Sequence, residues 1–316
     1  MKNYAFLFAY SPKYTKWHII SIEGNEFMKS ILIAGGDMRN VYLDNEFKKR
    51  GITAYVCGID QEKLEDNGIF CDDFKLMLAK ADLVILPVPA TDDGVKIRTP
   101  LFDKELFLGD IITYAKKDCL ICGGRLNIDF FTENSLKAFD YAQREDFASL
   151  NAVPTAEGAI EAVMKVLPVT VFSSSVLITG FGRVSKVLAV TLKAMGANVR
   201  VCARSLRDLS LAEALGFKTA HLDEMHHYLS GVDVIFNTIP KRIFFARELD
   251  AIKENVPFAD LASLPGGLDP CEAKSRGINY MFLPSLPGKY SPLTAAQIIL
   301  KTITNIIAEN ESTSLF

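Results

Sequence analysis

Val176-Leu177-Ile178-Thr179-Gly180-Phe181-Gly182-Arg183-Val184-Ser185 is an apolar, β-branched run that breaks at two glycines and passes into a helix-like segment, Lys186 to Met195. The spacing predicts a strand, a phosphate-binding turn and a helix. Gly180 permits a tight turn, and Gly182 removes the side chain that would keep the backbone away from a pyrophosphate. The free N–H groups and positive end of the helix then attract that anion. Phe181, Arg183 and Val184 complete the expected backbone cradle. Ser185 stands where the usual pattern has a third glycine, and is small enough for close helix–strand packing.

The flanking sequence strengthens a motif that is weak alone. After Gly196-Ala197-Asn198, a second β-branched run, Val199 to Val201, leads to Cys202-Ala203-Arg204-Ser205, about 20 residues past the glycines. An NAD-type site carries Asp or Glu at this strand tip, whereas an arginine suits the 2′-phosphate of NADP. Arg204, with Ser205 as a hydroxyl donor and Arg207 nearby, therefore points to NADP(H) as cofactor. The competing reading is a solvated loop charge.

A chain of 316 residues with 49% apolar content can build two domains with complete cores. A formal charge of −3 implies no basic face, so a small metabolite is expected as partner rather than nucleic acid. The six cysteines lack the paired spacing of a zinc site, and no metal is expected. Cys119-Leu120-Ile121-Cys122 reads as two core thiols in a buried strand rather than a redox pair. This usage suits a reducing cytoplasm. No apolar run reaches the roughly 18 residues of a spanning helix, so no membrane association is expected. Residues 1–27 lack a clear period, and Met28 is the expected start of the folded domain.

Outward from the glycine turn, strands alternate with helices in both directions. That pattern predicts an α/β fold of two doubly wound parallel-sheet domains with a cleft between them, the C-terminal one a Rossmann dinucleotide-binding domain. The expected divisions are an N-terminal α/β domain over 28–150, a Rossmann domain with its linking helix over 151–290, and a C-terminal helix from 291 that packs back on the first domain. Asn151 to Gly158 marks the boundary, with the linking helix running from Ala159 to Leu167. No internal sequence repeat is evident.

Ligands of open α/β sheets collect at the carboxyl ends of strands, so the loops there hold the candidate residues. Asn237, Thr238 and Pro240 end a strand where a nicotinamide ribose would lie, or else form an ordinary capped turn. Asp37 and Arg39, just past Gly35-Gly36, either hold a carboxylate or phosphate or form a local pair that caps a helix. Arg98 and Arg125 are weaker candidates. Pro265-Gly266-Gly267 permits close backbone approach or is a tight turn. No His–carboxylate dyad assembles from His18, His221, His226 and His227, which leaves Glu157, Asp37, Asp260, Lys165 and Lys289 for any proton transfer.

Taken together, AGGDMRN at 34–40, ILPVPATDDG at 85–94, VPTAEGAI at 153–160, GFGRVSK at 180–186, GANVRVCARS at 196–205, FNTIP at 236–240, DLASLPGG at 260–267 and LPGKYSPLTAAQII at 286–299 resemble the dipicolinate synthase A-subunit family. The resemblance runs in order from about residue 28 to 308; the extra N-terminal residues and Ser185 depart from it. It implies NADP-dependent oxidation of dihydrodipicolinate, a ring dicarboxylate, to dipicolinate in the mother cell of a sporulating bacterium. It also implies an oligomeric assembly and a partner, the flavoprotein-like B subunit of dipicolinate synthase. Arg39, Thr155, Ser263 and the Gly266 and Gly267 amides are physically suited to hold the substrate carboxylates. The alternatives are an NADP-dependent dehydrogenase of the shikimate or 2-hydroxy-acid type, and a non-catalytic NADP-binding subunit.

Overall fold

Each half of the chain starts with a short apolar strand that runs into a glycine turn, and each half builds its sheet outward from that strand. The computed structural model describes residues 30–65 and 68–313; the expected extension over 1–27 and the start at Met28 lie outside the described residues. The first half runs β1 (Ile31–Ala34), α1 (Met38–Lys48), β2 (Ala54–Cys57), β3 (Ile69–Phe70), α2 (Phe74–Leu78), β4 (Leu83–Ile85), β5 (Lys96–Ile97), β6 (Leu106–Phe107), α3 (Leu108–Tyr114), β7 (Leu120–Gly123), α4 (Ile128–Thr132) and β8 (Lys137–Asp140). Its sheet has the parallel order β3-β2-β1-β4-β7-β8, with β5 and β6 forming a separate antiparallel ribbon. β6 passes directly into α3, so residues 106–114 are a ribbon strand followed by a helix.

A long helix, α5 (Glu145–Met164), joins this half to the second. The second comprises β9 (Ser175–Thr179), α6 (Arg183–Ala194), β10 (Asn198–Ala203), α7 (Leu206–Ala214), β11 (Lys218–His221), α8 (His226–Leu229), β12 (Val234–Asn237), α9 (Ala246–Asp250), β13 (Pro257–Asp260), α10 (Pro270–Ser275), β14 (Asn279–Phe282), α11 (Leu286–Tyr290) and α12 (Pro292–Thr313). Its parallel order, β11-β10-β9-β12-β13-β14, repeats that of the first sheet position for position. Reversal of direction beside β9 makes its carboxyl end a topological switch point, where such sheets bind ligands.

The repeat, which is one of structure and not of sequence, extends to individual hydrogen bonds. The Ser30 N–H donates to Asp82 Oδ2 at 3.0 Å, and the Ser175 N–H to Asp233 Oδ2 at 2.7 Å. The Gly35 and Gly180 N–H groups donate to the carbonyls of Cys57 and Cys202, both at 2.8 Å. Each bond ties the first strand of a half to its neighbour.

α5 overturns an expectation. Asn151 to Gly158 is not a boundary loop but the middle of this helix, which begins at Glu145 and carries Pro154 inside it. An interior proline ordinarily costs a helix about 3 kcal/mol. Here Ala152, Ala156, Ala159, Ile160 and Val163 are buried, and the helix packs on α6, α11 and α12. Tertiary packing outweighs local propensity. α12 lays Ala296, Ile299, Leu300, Ile303 and Ile306 into the core formed by β1, β2, β4 and α1 of the first half. Fully burying an isoleucine contributes about 1.5–3 kcal/mol, so this row attaches the C-terminal helix firmly to the first domain.

Candidate dinucleotide site

The second glycine turn is open where an anion would enter. Gly180 has φ +89°, and a Cβ there would sit 2.6 Å from Thr238 Oγ1, so the turn requires glycine. A Cβ on Gly182 would meet nothing within 4 Å. Gly182 is also the N-cap of α6 and supplies no side-chain cap, leaving the first amides of that helix without intrahelical partners. Ser185 is fully buried, its hydroxyl donating to the Gly182 carbonyl at 3.2 Å, consistent with its place as the small third residue. Phe181 points into the core against Phe217 and anchors the turn. Arg183 is half exposed and pairs with Glu145 at 2.8 Å. Nothing local in the sequence signals that contact across 38 positions.

Arg204 follows β10 two residues beyond the carbonyl that receives the Gly180 N–H, on the same edge of the sheet. It is exposed and has no ion pair among the described residues. Ser205 caps α7, accepting from the Asp208 N–H at 3.4 Å, a contact weak enough to leave its hydroxyl available.

The other strand ends of this half form a closed polar network. The Asn237 side chain accepts from Thr179 Oγ1 (2.6 Å) and the Ile239 N–H (3.1 Å), and donates to the Ile239 carbonyl (3.0 Å) and Asp260 Oδ1 (2.8 Å). Asp260 also accepts from the N–H groups of Ala262 and Gly267 and from the Tyr280 hydroxyl. Both side chains are fully buried. This corrects two expectations: Asn237 has no hydrogen-bonding capacity left for a ribose, and Asp260 is not presented as a base. Thr238 donates to the Thr179 carbonyl at 2.7 Å, so contact from Thr238 to Pro240 falls to the backbone and to hydroxyl lone pairs.

The Gly266 and Gly267 amides are likewise committed, to the Ser263 carbonyl (3.0 Å) and to Asp260 (2.7 Å). They do not serve as free anion holders; Ser263 itself is exposed. Thr155 donates to the Asn151 carbonyl of its own helix at 2.6 Å and has no proton to offer a carboxylate. Glu157 and Lys165 lie away from the strand ends, lining a hollow of about 390 Å³ between α5 and α6. Lys165 is there paired with Glu161 and lies over the Tyr290 ring. His221, His226 and His227 lie at and beyond β11, the edge strand. No group of three His, Cys, Asp or Glu able to hold a metal occurs among the described residues.

The first glycine turn is built like the second but is already filled. Gly35 and Gly36 have φ +72° and +110°, and α1 is capped by Asp37, which accepts from the Arg39 N–H at 3.0 Å. Arg39 closes a bidentate pair on the same carboxylate at 2.9 and 2.8 Å and donates to the Val88 carbonyl at 2.6 Å. Burial raises the Asp37 carboxyl, but the Arg39 hydrogen bonds and charge, with Arg98 farther off, outweigh it and hold it below the usual carboxylate range. The local pair is the outcome here: Arg39 is committed and Asp37 is a poor base. Gly288 of α11 presses on this pair, since a Cβ there would lie 2.9 Å from Arg39 Nε and 3.2 Å from Asp37 Oδ2. Lys289, next in sequence, is exposed beside that contact. Arg98 pairs with the exposed Asp92 at 2.9 Å, and Arg125 is exposed at the end of β7 with φ +55°.

Two doubly wound sheets joined by α5, with an open glycine turn at the switch point of the second, define the class of NAD(P)-dependent oxidoreductases. Residues 30–142 match the family described as the N-terminal domain of the dipicolinate synthase A subunit, and residues 153–262 the D-isomer specific 2-hydroxyacid dehydrogenase, NAD binding domain. The chain is 31% identical over 284 residues to the A subunit of dipicolinate synthase from Bacillus subtilis (strain 168), covering 88% of this chain and 96% of that protein. The crystal structure of the dipicolinate synthase A chain from Bacillus subtilis superposes with a TM-score of 0.79 at 30% identity, over 90% of this chain and 97% of that one. For the A subunit of dipicolinate synthase from Bacillus halodurans the TM-score is 0.81 at 27% identity, over 89% and 98%. The chain belongs to the dipicolinate synthase A-subunit family. Among the described residues no helix is long and apolar enough to cross a membrane.

Proposed function

We propose that this chain oxidises dihydrodipicolinate to dipicolinate with NADP, together with a flavoprotein-like second subunit, in the mother cell of a sporulating bacterium. The observation that carries the reading is the contrast between the two glycine turns: Asp37 fills the first, while Gly182 leaves the second clear for a pyrophosphate. The α6 amides and Gly182 hold the pyrophosphate, Arg204 and Ser205 the 2′-phosphate, and the Thr238–Pro240 backbone lies beside the nicotinamide ribose. When bound, the nicotinamide supplies a hydride acceptor. Arg98, beside Gly36 and reached by solvent through its pair with the exposed Asp92, and Arg125, past the end of β7, are the cations assigned to orient two ring carboxylates. With Asp37 held ionised by Arg39 and Asp260 enclosed, the ring proton passes to water.

Calorimetry of the purified chain with NADPH and NADH, alongside Arg204→Asp, tests the cofactor. Charge-assisted hydrogen bonds contribute about 1.5–3 kcal/mol, so NADPH affinity should fall about 10- to 150-fold in the variant while NADH affinity does not fall. Equal binding of both nucleotides by the wild type would sink the NADP assignment. Turnover of dihydrodipicolinate by the chain, alone and with the second subunit, tests the reaction. A second reading, a non-catalytic dinucleotide-binding subunit, is favoured by the lack of a placed acid–base group. Binding without turnover in either mixture would select it.

A further inference from the structure

Two thiols face each other at the ends of β2 and β3. β2 and β3 run parallel with Tyr55 opposite Ile69 and Val56 opposite Phe70, so Cys57 and Cys71 are the next positions facing each other. The ladder continues to that level, since the Cys71 N–H donates to the Val56 carbonyl at 2.9 Å. Both side chains pack on the same face of the sheet, against the Leu32, Ala34 and Phe74 cluster. Adjacent strands lie about 4.8 Å apart, within the about 4.4–6.8 Å between Cα atoms that a disulfide spans. Both are free thiols, Cys57 buried and Cys71 half-buried, with the Cys71 thiol donating to the Asp73 carbonyl at 3.7 Å. Burial, and then the neighbouring Cys71 sulfur, push the Cys57 thiol up, so it stays protonated until a partner draws it out.

We propose that Cys57 and Cys71 form a reversible dithiol–disulfide pair, a modification site closed by hydroperoxides and reopened by small dithiols. The accessible Cys71 thiolate attacks the peroxide O–O bond; an S–O bond forms, and the second oxygen leaves as water or an alcohol. Cys57 then loses its proton and attacks the Cys71 sulfur. The S–S bond forms as S–O breaks, and hydroxide takes up the proton to leave as water. Two electrons pass from the two thiols to one peroxide. The bond joins β2 to the two-residue edge strand β3, beneath the first glycine turn, whose Gly35 N–H rests on the Cys57 carbonyl.

The test treats the folded full chain with hydrogen peroxide, alkylates the remaining thiols, and maps a non-reduced digest by mass spectrometry. One intramolecular crosslink, between the peptides holding Cys57 and Cys71, is expected, with the other four cysteines alkylated and reversal by dithiothreitol. Cys71→Ser, a half-exposed site, should fold as judged by circular dichroism and leave Cys57 fully alkylatable after denaturation. The same treatment in urea should scatter the pairing, which separates native proximity from intrinsic reactivity. Three results would overturn the proposal: Cys71 carried to sulfinic acid without a crosslink, pairing of Cys71 with the exposed Cys271, or both thiols untouched at peroxide levels that oxidise Cys271.

Discussion

At the scale of single residues, the two glycines of the second turn separate folding from binding. Alanine at Gly180 places a Cβ at φ +89° and against Thr238 Oγ1, which should destabilise the protein by about 1–3 kcal/mol. Gly182 has φ −81° and open space beyond it, so alanine there should change stability by less than about 0.5 kcal/mol. NADPH affinity should nonetheless fall about tenfold or more, because the added carbon stands where the pyrophosphate approaches. Thermal melts and calorimetry on both variants check the pair; a Gly182→Ala protein that binds normally would move the seat elsewhere. Asp260 makes the opposite case. Its four hydrogen-bond donors come from three different segments of the second half, so Asp260→Ala should cost about 2–4 kcal/mol by leaving them buried and unpaired. Denaturant melts would reveal a catalytic rather than structural role if stability held and only turnover dropped.

At the scale of elements, the N-terminus of α5 is fastened to α12 through Arg144, Asp146, Asn305 and Glu309. Arg144 grips both carboxylates, at 2.9 Å to Asp146 and 2.7 Å to Glu309, and Asn305 donates to Asp146 at 2.8 Å. The Arg144 hydrogen bonds lead in holding Asp146 down to about 2, against an ordinary carboxylate near 3.8. A depressed acid stabilises the fold above its unfolded pKa and loses that contribution as pH falls through the folded one. The fastening should therefore weaken between about pH 4 and pH 2. Asp146 is half-buried and still reached by solvent, so the effect is modest. Urea midpoints at both ends of that window should differ more in the wild type than in Asp146→Asn; equal differences would assign the acid response to other groups. α5 is also where local sequence misleads most. Pro154 and Gly158 read as a break, yet Gly158 is there because a Cβ would come within 3.0 Å of Tyr290 on α11. A contact between distant segments leaves no periodic signal.

At the scale of the molecule, the fold class was legible because strand–turn–helix patterning is local, and Gly180 and Gly182 form the turn between β9 and α6 that the pattern requires. The structural repeat was not legible: Gly35 to Cys57 and Gly180 to Cys202 each span 22 positions, but two such intervals are too sparse to mark a repeat in sequence spacing. The spacing then drifts, because Cys57 to Asp82 spans 25 positions and Cys202 to Asp233 spans 31. The roles of Asp37 and Arg39 were not legible, since the residues that hold an external anion are those that cap a helix. Asn237 and Asp260 misled for a related reason: polar groups at strand ends look alike whether they face a ligand or one another. The repeated architecture also fixes a number that titration can count. Asp37 is in effect a tethered competitor at the first of two equivalent seats, held at an effective concentration in the millimolar range or above that free nucleotide cannot match. One dinucleotide per chain should therefore saturate the protein, and Asp37→Gly should admit a second anion, weakly and in a salt-dependent manner. Two equivalents bound by the unmodified chain would mean that Asp37 gives way. A repeated scaffold that keeps one turn occupied by its own side chain has turned symmetry into polarity, with the other turn left open to an anion.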